Sequence, residues 1–248
     1  MNTPADAASV VLLRDHRDPF QVYMLHRHRG HKFMADVWVF PGGKVDDADR
    51  RGDADTTGLR VAAVRETFEE ARILLARNTA QRLDDLAELR HRLNAGEVTF
   101  RQLLENHQLE PAVDDLVFFA HWITPEFESH RYDTRFFAVE APPDQTARHD
   151  DGETTGGAWL TPRQAIEHYR NEEIELAPPT LRILERLDEF NGVDEALHRL
   201  RAEGTPTTIE PRLDEEASEP TLILHDDPDA APGGVTRMVL RDGQWFSG

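Results

Sequence analysis

The sequence predicts an α+β fold, an α/β/α sandwich with a mixed β-sheet between helices and a helical insertion. Three observations lead there. Short apolar runs rich in β-branched residues, bounded by turn residues, recur in the first forty positions and again between 116 and 160. Apolar residues switch to helical spacing after Thr57, and helix signals return after 78, 161 and 178. Strands and helices also mix without a regular βαβ rhythm, which favours a mixed sheet.

Taken in order, Ala8 to Leu13 and Gln21 to Leu25 are predicted strands, joined by a turn through Arg14-Asp15-His16-Arg17-Asp18-Pro19. A third, Val37 to Phe40, stops at Pro41-Gly42-Gly43. Residues 44–56 are polar and irregular. Val61, Val64, Phe68, Ala71 and Leu75 then recur at helical spacing, giving about five turns of amphipathic helix. Residues 78–112 read as a helical insert. Leu83, Leu86, Leu89 and Leu93 form one stripe, Phe100, Leu103 and Leu104 begin another, and Pro111 ends it. Leu116 to Ile123, Arg135 to Val139 and Ala158 to Leu160 are further strands. Thr161-Pro162 starts a helix, because Thr is a good N-cap and Pro suits the first helical position. Pro178-Pro179-Thr180 opens another, from Leu181 to Phe190. Residues 202–220 carry Gly, Pro, Thr, Glu and Ser with few apolar residues, a flexible loop before the C-terminal strands. Those strands, Thr221 to Leu224 and Thr236 to Leu240, are expected to rejoin the main body. There is no internal repeat, and residues 1–248 read as a single domain.

The 248 residues include 28 Lys+Arg against 47 Asp+Glu, a formal charge of −19. Such a field repels phosphate backbones and anionic lipid, so neither nucleic acid nor a membrane is an expected partner. An anionic small molecule would need locally placed Arg or a metal. With no Cys, disulfides, thiolate zinc sites, Fe–S clusters and Cys nucleophiles are excluded. The four Ser sit in no Gly-x-Ser-x-Gly, and no Walker pattern occurs. The opening Met-Asn-Thr-Pro-Ala-Asp-Ala-Ala lacks a basic region and a long apolar stretch, so no signal peptide is expected and the cytoplasm is the expected location.

The strongest chemical signal is Arg65-Glu66-Thr67-Phe68-Glu69-Glu70. On a helix Glu66, Glu69 and Glu70 stand at i, i+3 and i+4, so three carboxylates share one face. Their repulsion costs helix stability, and a divalent cation would remove that cost. Oxygen-only ligands suit Mg²⁺ or Mn²⁺ rather than Zn²⁺. Arg65 could hold one glutamate by a bidentate pair. Taken alone, the same pattern also suits a merely solvated acidic face.

The upstream residues decide between the two. Phe40-Pro41-Gly42-Gly43, an acidic Asp49 and the Arg-Glu-x-x-Glu-Glu helix together resemble the Nudix box. That pattern runs Gly, five residues, Glu, seven residues, Arg-Glu, apolar, any, Glu-Glu, any, Gly, apolar. Gly43, Arg65, Glu66, Glu69, Glu70 and Ile73 fit it. Asp49 replaces the Glu, fifteen residues rather than seven separate it from Arg65, and Arg72 replaces the second Gly. The last change predicts a helix that runs on past this position. His121-Trp122-Ile123-Thr124-Pro125, Arg131-Tyr132-Asp133-Thr134-Arg135-Phe136-Phe137, Pro178-Pro179-Thr180 and Val239 to Trp245 resemble the Nudix subgroup that includes the mammalian peroxisomal acyl-CoA diphosphatases.

The resemblance implies a Nudix fold and metal-dependent hydrolysis of a small-molecule diphosphate. Glu66, Glu69 and Glu70, with Arg65, would be catalytic. The metal ligands would be the same glutamates with the Gly43 carbonyl and Glu153, an acid shortly before Trp159. A homodimer is a family expectation. Coenzyme A hydrolases of the family carry a basic motif ahead of Phe-Pro-Gly-Gly. Arg27 and Lys32 stand at its basic positions, while His28 replaces its Ser and Asp36 its Gly. Arg27, Lys32 and Arg135 are therefore the candidate substrate-binding residues, with Arg29 and Arg131 read rather as solvated charges. CoA or acyl-CoA is the leading substrate. Nucleotide sugars, ADP-ribose or NADH, or a non-catalytic ligand sensor, are the alternatives. His26, His28 and His31 read as surface or phosphate-contact groups, since no fourth zinc ligand is evident.

Overall fold

The apolar run near the N-terminus forms the central strand β1 (Ala5–Arg14), buried from Ala7 to Leu13. A computed structural model describes residues 3–16, 19–28, 36–50, 55–77, 85–150, 152, 154–225 and 234–248. After β1 come β2 (Gln21–Arg27), β3 (Trp38–Val39), β4 (Gly42–Lys44), helix α1 (Asp55–Ala71), β5 (Ala76–Arg77), α2 (Leu86–Asn94), α3 (Phe100–Asn106) and β6 (Glu110–Pro111). The chain continues through β7 (Val117–Ile123), β8 (Tyr132–Glu140), β9 (Thr154–Leu160), α4 (Pro162–Arg170), α5 (Pro178–Leu187) and α6 (Val193–Ala202). Five short strands follow: β10 (Thr208–Ile209), β11 (Arg212–Leu213), β12 (Thr221–Ile223), β13 (Arg237–Arg241) and β14 (Gln244–Ser247).

The main sheet has the order β10-β7-β8-β1-β2-β3, with β4 pairing β1 and β9 pairing β2. It is mixed. β1 runs parallel to β8, from Ala5 opposite Tyr132 to Leu13 opposite Glu140, and antiparallel to β2 and β4. Strand alternation sorts the core into two layers. Ala8, Val10, Leu12, Leu25 and Phe137 face α1 and the insert helices, while Val11, Leu13, Met24, Phe136 and Ala138 face α4, α5 and α6. The expected sheet between helices results.

Helix boundaries follow local chemistry. Thr161 caps α4, its side chain accepting from the Gln164 amide while Gln164 reaches back to the Thr161 N–H. Thr99 and Gln102 do the same for α3. The region read as the insert at 78–112 is pinched at its base by the β5–β6 ladder, Ala76 opposite Pro111 and Arg77 opposite Glu110.

The sequence reading differs from the structure in three places. α1 does not run past position 72. It ends at Ala71, and Arg72 takes a left-handed φ of 56°, its amide donating to the Phe68 carbonyl. Arg thus performs the helix-ending turn that Gly makes without strain. The C-terminal strands form a sheet of their own, ordered β11-β12-β13-β14. Its Leu222, Leu224 and Met238 pack into the α4–α6 layer of the core. Residues 202–220 carry β10, which pairs in parallel with β7, and β11. Helix α6 was absent from the sequence reading, although Val193, Ala196, Leu197 and Leu200 repeat at helical spacing and are all buried.

Candidate active site

Two glycines bring the turn after β3 against β1 and α1. A Cβ on Gly42 would lie 2.5 Å from the Ala8 carbonyl oxygen and 2.6 Å from the Ser9 Cα. One on Gly43 would lie 2.5 Å from Glu66 Oε1. Gly42, facing backbone, needs glycine for space alone, whereas a Cβ at Gly43 would push the Glu66 carboxylate aside. The gain is a direct contact: the Gly42 amide donates to Glu70 Oε2 at 2.8 Å. Glu70 is consequently buried.

Arg65 organises the rest of the helix face. Its Nε donates to Asp49 Oδ1 at 3.0 Å and its Nη2 to Asp49 Oδ2 at 2.8 Å, a bidentate pair. Nη2 also donates to the Lys44 carbonyl at 2.9 Å. Nη1 donates at 2.8 Å to both Glu66 Oε1 and Glu69 Oε2. Burial pulls the Arg65 guanidinium toward neutrality, but Asp49, Glu66 and Glu69 together outweigh it and hold the proton more tightly than in water. Burial lifts the Glu69 carboxyl above its usual range, against the opposing pull of Arg65.

Asp49 is the residue whose role the shifted box spacing had obscured. Only 3% exposed, it accepts from Arg65 and also from the Asp46 amide, at 2.9 Å. The carboxylate therefore still reaches the arginine despite the longer spacing.

Glu66, Glu69 and Glu70 all line a cavity of about 1490 Å³. Arg27 lines the same cavity. So does Lys44, directly after Gly43, which the sequence reading missed as a site residue; its ammonium lies 5.6 Å from the centre of the Tyr132 ring. The insert contributes Asn94, whose amide nitrogen donates to the Glu69 carbonyl at 3.3 Å. Arg135 does not line it. That side chain is held by Asp133 at 3.0 Å and Asp6 at 3.4 Å. Arg131, read as a solvated charge, is buried, its Nε donating to the Thr124 carbonyl at 2.9 Å and its Nη2 pairing with Glu210. Lys32 and Glu153 lie outside the described residues, as do Arg29 and His31. His26 stacks on Trp38 and bonds Asp36 at 2.9 Å.

Three carboxylates with no soft ligand on one cavity wall fit a hard divalent cation by donor chemistry. Among the described residues, no group of three or more His, Asp or Glu side chains is set to hold a metal ion as the side chains stand; Glu66 and Glu69 both accept from Arg65 Nη1.

Residues 53–187 match the family model of the NUDT19 Nudix domain. The chain belongs to this Nudix family. It is 26% identical over 238 residues to the acyl-coenzyme A diphosphatase NUDT19 of Xenopus laevis, an alignment covering 73% of this chain and 62% of that protein. It is 27% identical over 241 residues to the Homo sapiens protein of the same name, covering 73% and 63%. The chain thus spans less than two thirds of the length of these relatives. The crystal structure of a NUDIX hydrolase from Alicyclobacillus acidocaldarius superposes with a TM-score of 0.72 at 25% identity, over 80% of this chain and 97% of that one. The fold is accordingly the Nudix fold, and α1 is its glutamate helix. The Pro41-Gly42-Gly43 turn and the β11–β14 sheet lie outside the residues that the family model matches.

Proposed function

We propose that the chain is a metal-dependent diphosphatase acting on coenzyme A or an acyl-coenzyme A. The observation that carries this reading is the shared cavity: the Glu66, Glu69 and Glu70 carboxylates open onto the same space as the cations of Arg27 and Lys44. The names of the relatives supply the substrate class.

Glu66, Glu69 and Glu70 would hold Mg²⁺ or Mn²⁺. When bound, the cation supplies Lewis-acid stabilisation for charge building on the phosphate oxygens. The chain's own contribution is placement. Arg65, fixed by Asp49, keeps Glu66 and Glu69 side by side, and the Gly42 amide fixes Glu70. Arg27 and Lys44 offset, at one locus, the repulsion that a chain of charge −19 exerts on a diphosphate. Water attacks one phosphorus, its proton goes to a helix carboxylate, and the P–O bond to the bridging oxygen breaks, leaving two phosphomonoesters.

The test is product release from CoA, acyl-CoA, NADH, ADP-ribose and nucleotide sugars, with Mg²⁺ and with Mn²⁺. Turnover of the CoA compounds is expected, falling at least about a hundredfold in Glu69→Gln and Glu70→Gln. Preferential turnover of a nucleotide sugar or dinucleotide would overturn the substrate reading. No turnover of any compound would overturn the enzyme reading.

A further inference from the structure

Strand pairing makes one face of the small C-terminal sheet apolar. Leu213 stands opposite Leu222, Leu222 opposite Met238, and Leu240 opposite Trp245. Pro220 joins the Leu240 row, its carbonyl accepting from the Leu240 amide at 2.8 Å. Because side chains alternate along a strand, these residues share a face, and Arg212, Arg237 and Arg241 point to the other. Met238 and Leu222 sink into the core. Leu213, Leu222, Leu240 and Trp245 line the cavity that also holds Glu66, Glu69 and Glu70.

Trp122, Ile123, Pro125, Phe127, Pro178 and Pro179 add further apolar lining to the same cavity. Phe127 and Leu213 are the large apolar side chains left exposed among the described residues, at 54% and 49%, and both border this cavity. Exposed large apolar groups converging on one concave site mark a binding surface. At about 1490 Å³ the space exceeds the roughly 300–1,000 Å³ of ordinary ligand pockets, leaving room beyond a diphosphate. The C-terminal sheet itself offers this cavity only apolar side chains, its arginines facing away. A hydrocarbon chain needs only apolar contact.

We propose that the inward face of the β11–β14 sheet, together with Phe127 on the same cavity, is the subsite for the acyl chain of an acyl-coenzyme A. This rests on the diphosphatase reading and adds the part of the substrate that selects for acylation. It assigns selectivity to a sheet beyond the matched domain residues, at Leu213, Leu240 and Trp245.

The experiment compares octanoyl-CoA with free CoA by calorimetric titration of the metal-free protein in EDTA, and by kcat/KM with Mg²⁺. Octanoyl-CoA is expected to bind at least about tenfold more tightly than CoA. The exposed-site double variant Leu213→Asn, Phe127→Ser is expected to reduce that ratio to about threefold or less with an unchanged circular dichroism spectrum. Arg212→Gln, on the outward face of the same strand, is expected to keep the ratio. Equal binding of the two ligands, or a ratio untouched by the double variant, would overturn the subsite. Tighter octanoyl-CoA binding that the variant abolishes, with no turnover in either metal, would sink the enzyme reading and leave the subsite standing.

Discussion

Replacing Asp49 with Asn keeps shape and removes charge, so it isolates what the carboxylate does for Arg65. In the native protein Asp49 accepts from Arg65 Nε at 3.0 Å, from Arg65 Nη2 at 2.8 Å and from the Asp46 amide at 2.9 Å. Asn offers one oxygen. With that oxygen turned to Nη2 and the Asp46 amide, its NH₂ group must face the Arg65 Nε–H, donor against donor. Breaking a buried ion pair from one side costs about 3–5 kcal/mol. Arg65 keeps Glu66, Glu69 and the Lys44 carbonyl, so the low end, about 3 kcal/mol, is expected. For a chain of this size that is a fall in Tm of roughly 6–12 °C. The guanidinium then leans more on Glu66 and Glu69, so the thermal stabilisation by Mg²⁺ should shrink as well. Urea denaturation followed by tryptophan fluorescence, with and without Mg²⁺, reads both effects. A loss under about 1 kcal/mol with the Mg²⁺ response intact would refute the reasoning and reduce Asp49 to a space-filling residue.

Asp49→Glu, which installs the residue of the Nudix pattern, should also destabilise, by about 1–2 kcal/mol, because an extra methylene enters a closed niche; a gain in urea midpoint would contradict this. Arg72→Gly should raise Tm by about 2–4 °C, since it relieves roughly 1 kcal/mol of left-handed strain. A lower Tm would mean that the Arg72 contact with the Thr146 carbonyl outweighs the strain. In Gly43→Ala the new Cβ displaces the Glu66 carboxylate, so kcat/KM and the Mg²⁺ shift should fall about tenfold or more while folding survives; native turnover would count against that contact. Burial pushes the Tyr23 phenol up to about 12. Its contribution is therefore complete below pH 10 and is lost as pH rises from about 10 toward 12, by roughly 2–3 kcal/mol. Tyr23→Phe should flatten that slope in urea midpoints and leave a residue from Tyr169, which burial also raises.

The helix α1 explains why the site was legible and its environment was not. Spacing alone put Glu66, Glu69 and Glu70 on one face, since backbone geometry fixes that relation. The same reading took the apolar positions as the buried face and the acids as an outer one. In the structure Ala62, Ala63, Val64, Thr67, Phe68 and Ala71 are all buried, and so are Arg65 and Glu70. Sheet, insert and the β4 turn enclose the helix on most sides, so polarity along it reports ion pairing and not exposure. No periodicity could say that Asp49, sixteen positions upstream of Arg65, would be the partner.

The C-terminal sheet shows the complementary case. Its alternation is visible in the residues: Arg212 beside Leu213, and Arg237 beside Met238, with Val239, Leu240 and Arg241 continuing the pattern. A period of two says which side chains share a face within a strand. By itself it does not say which strands pair: the two-residue Asp242-Gly243 turn marks β13 and β14 as a hairpin, but β11, β12 and β13 are short and carry no such signal between them. Only the pairing of Leu213 with Leu222 and of Leu240 with Trp245 turns four brief runs into one apolar wall. That wall lines the same cavity as a helix whose carboxylates the local sequence had already lined up. The chemistry is encoded within one stretch of chain, where spacing can be read. The selectivity assigned to it depends on how four short strands register into a sheet and where that sheet docks on the core, which the spacing within each strand does not give.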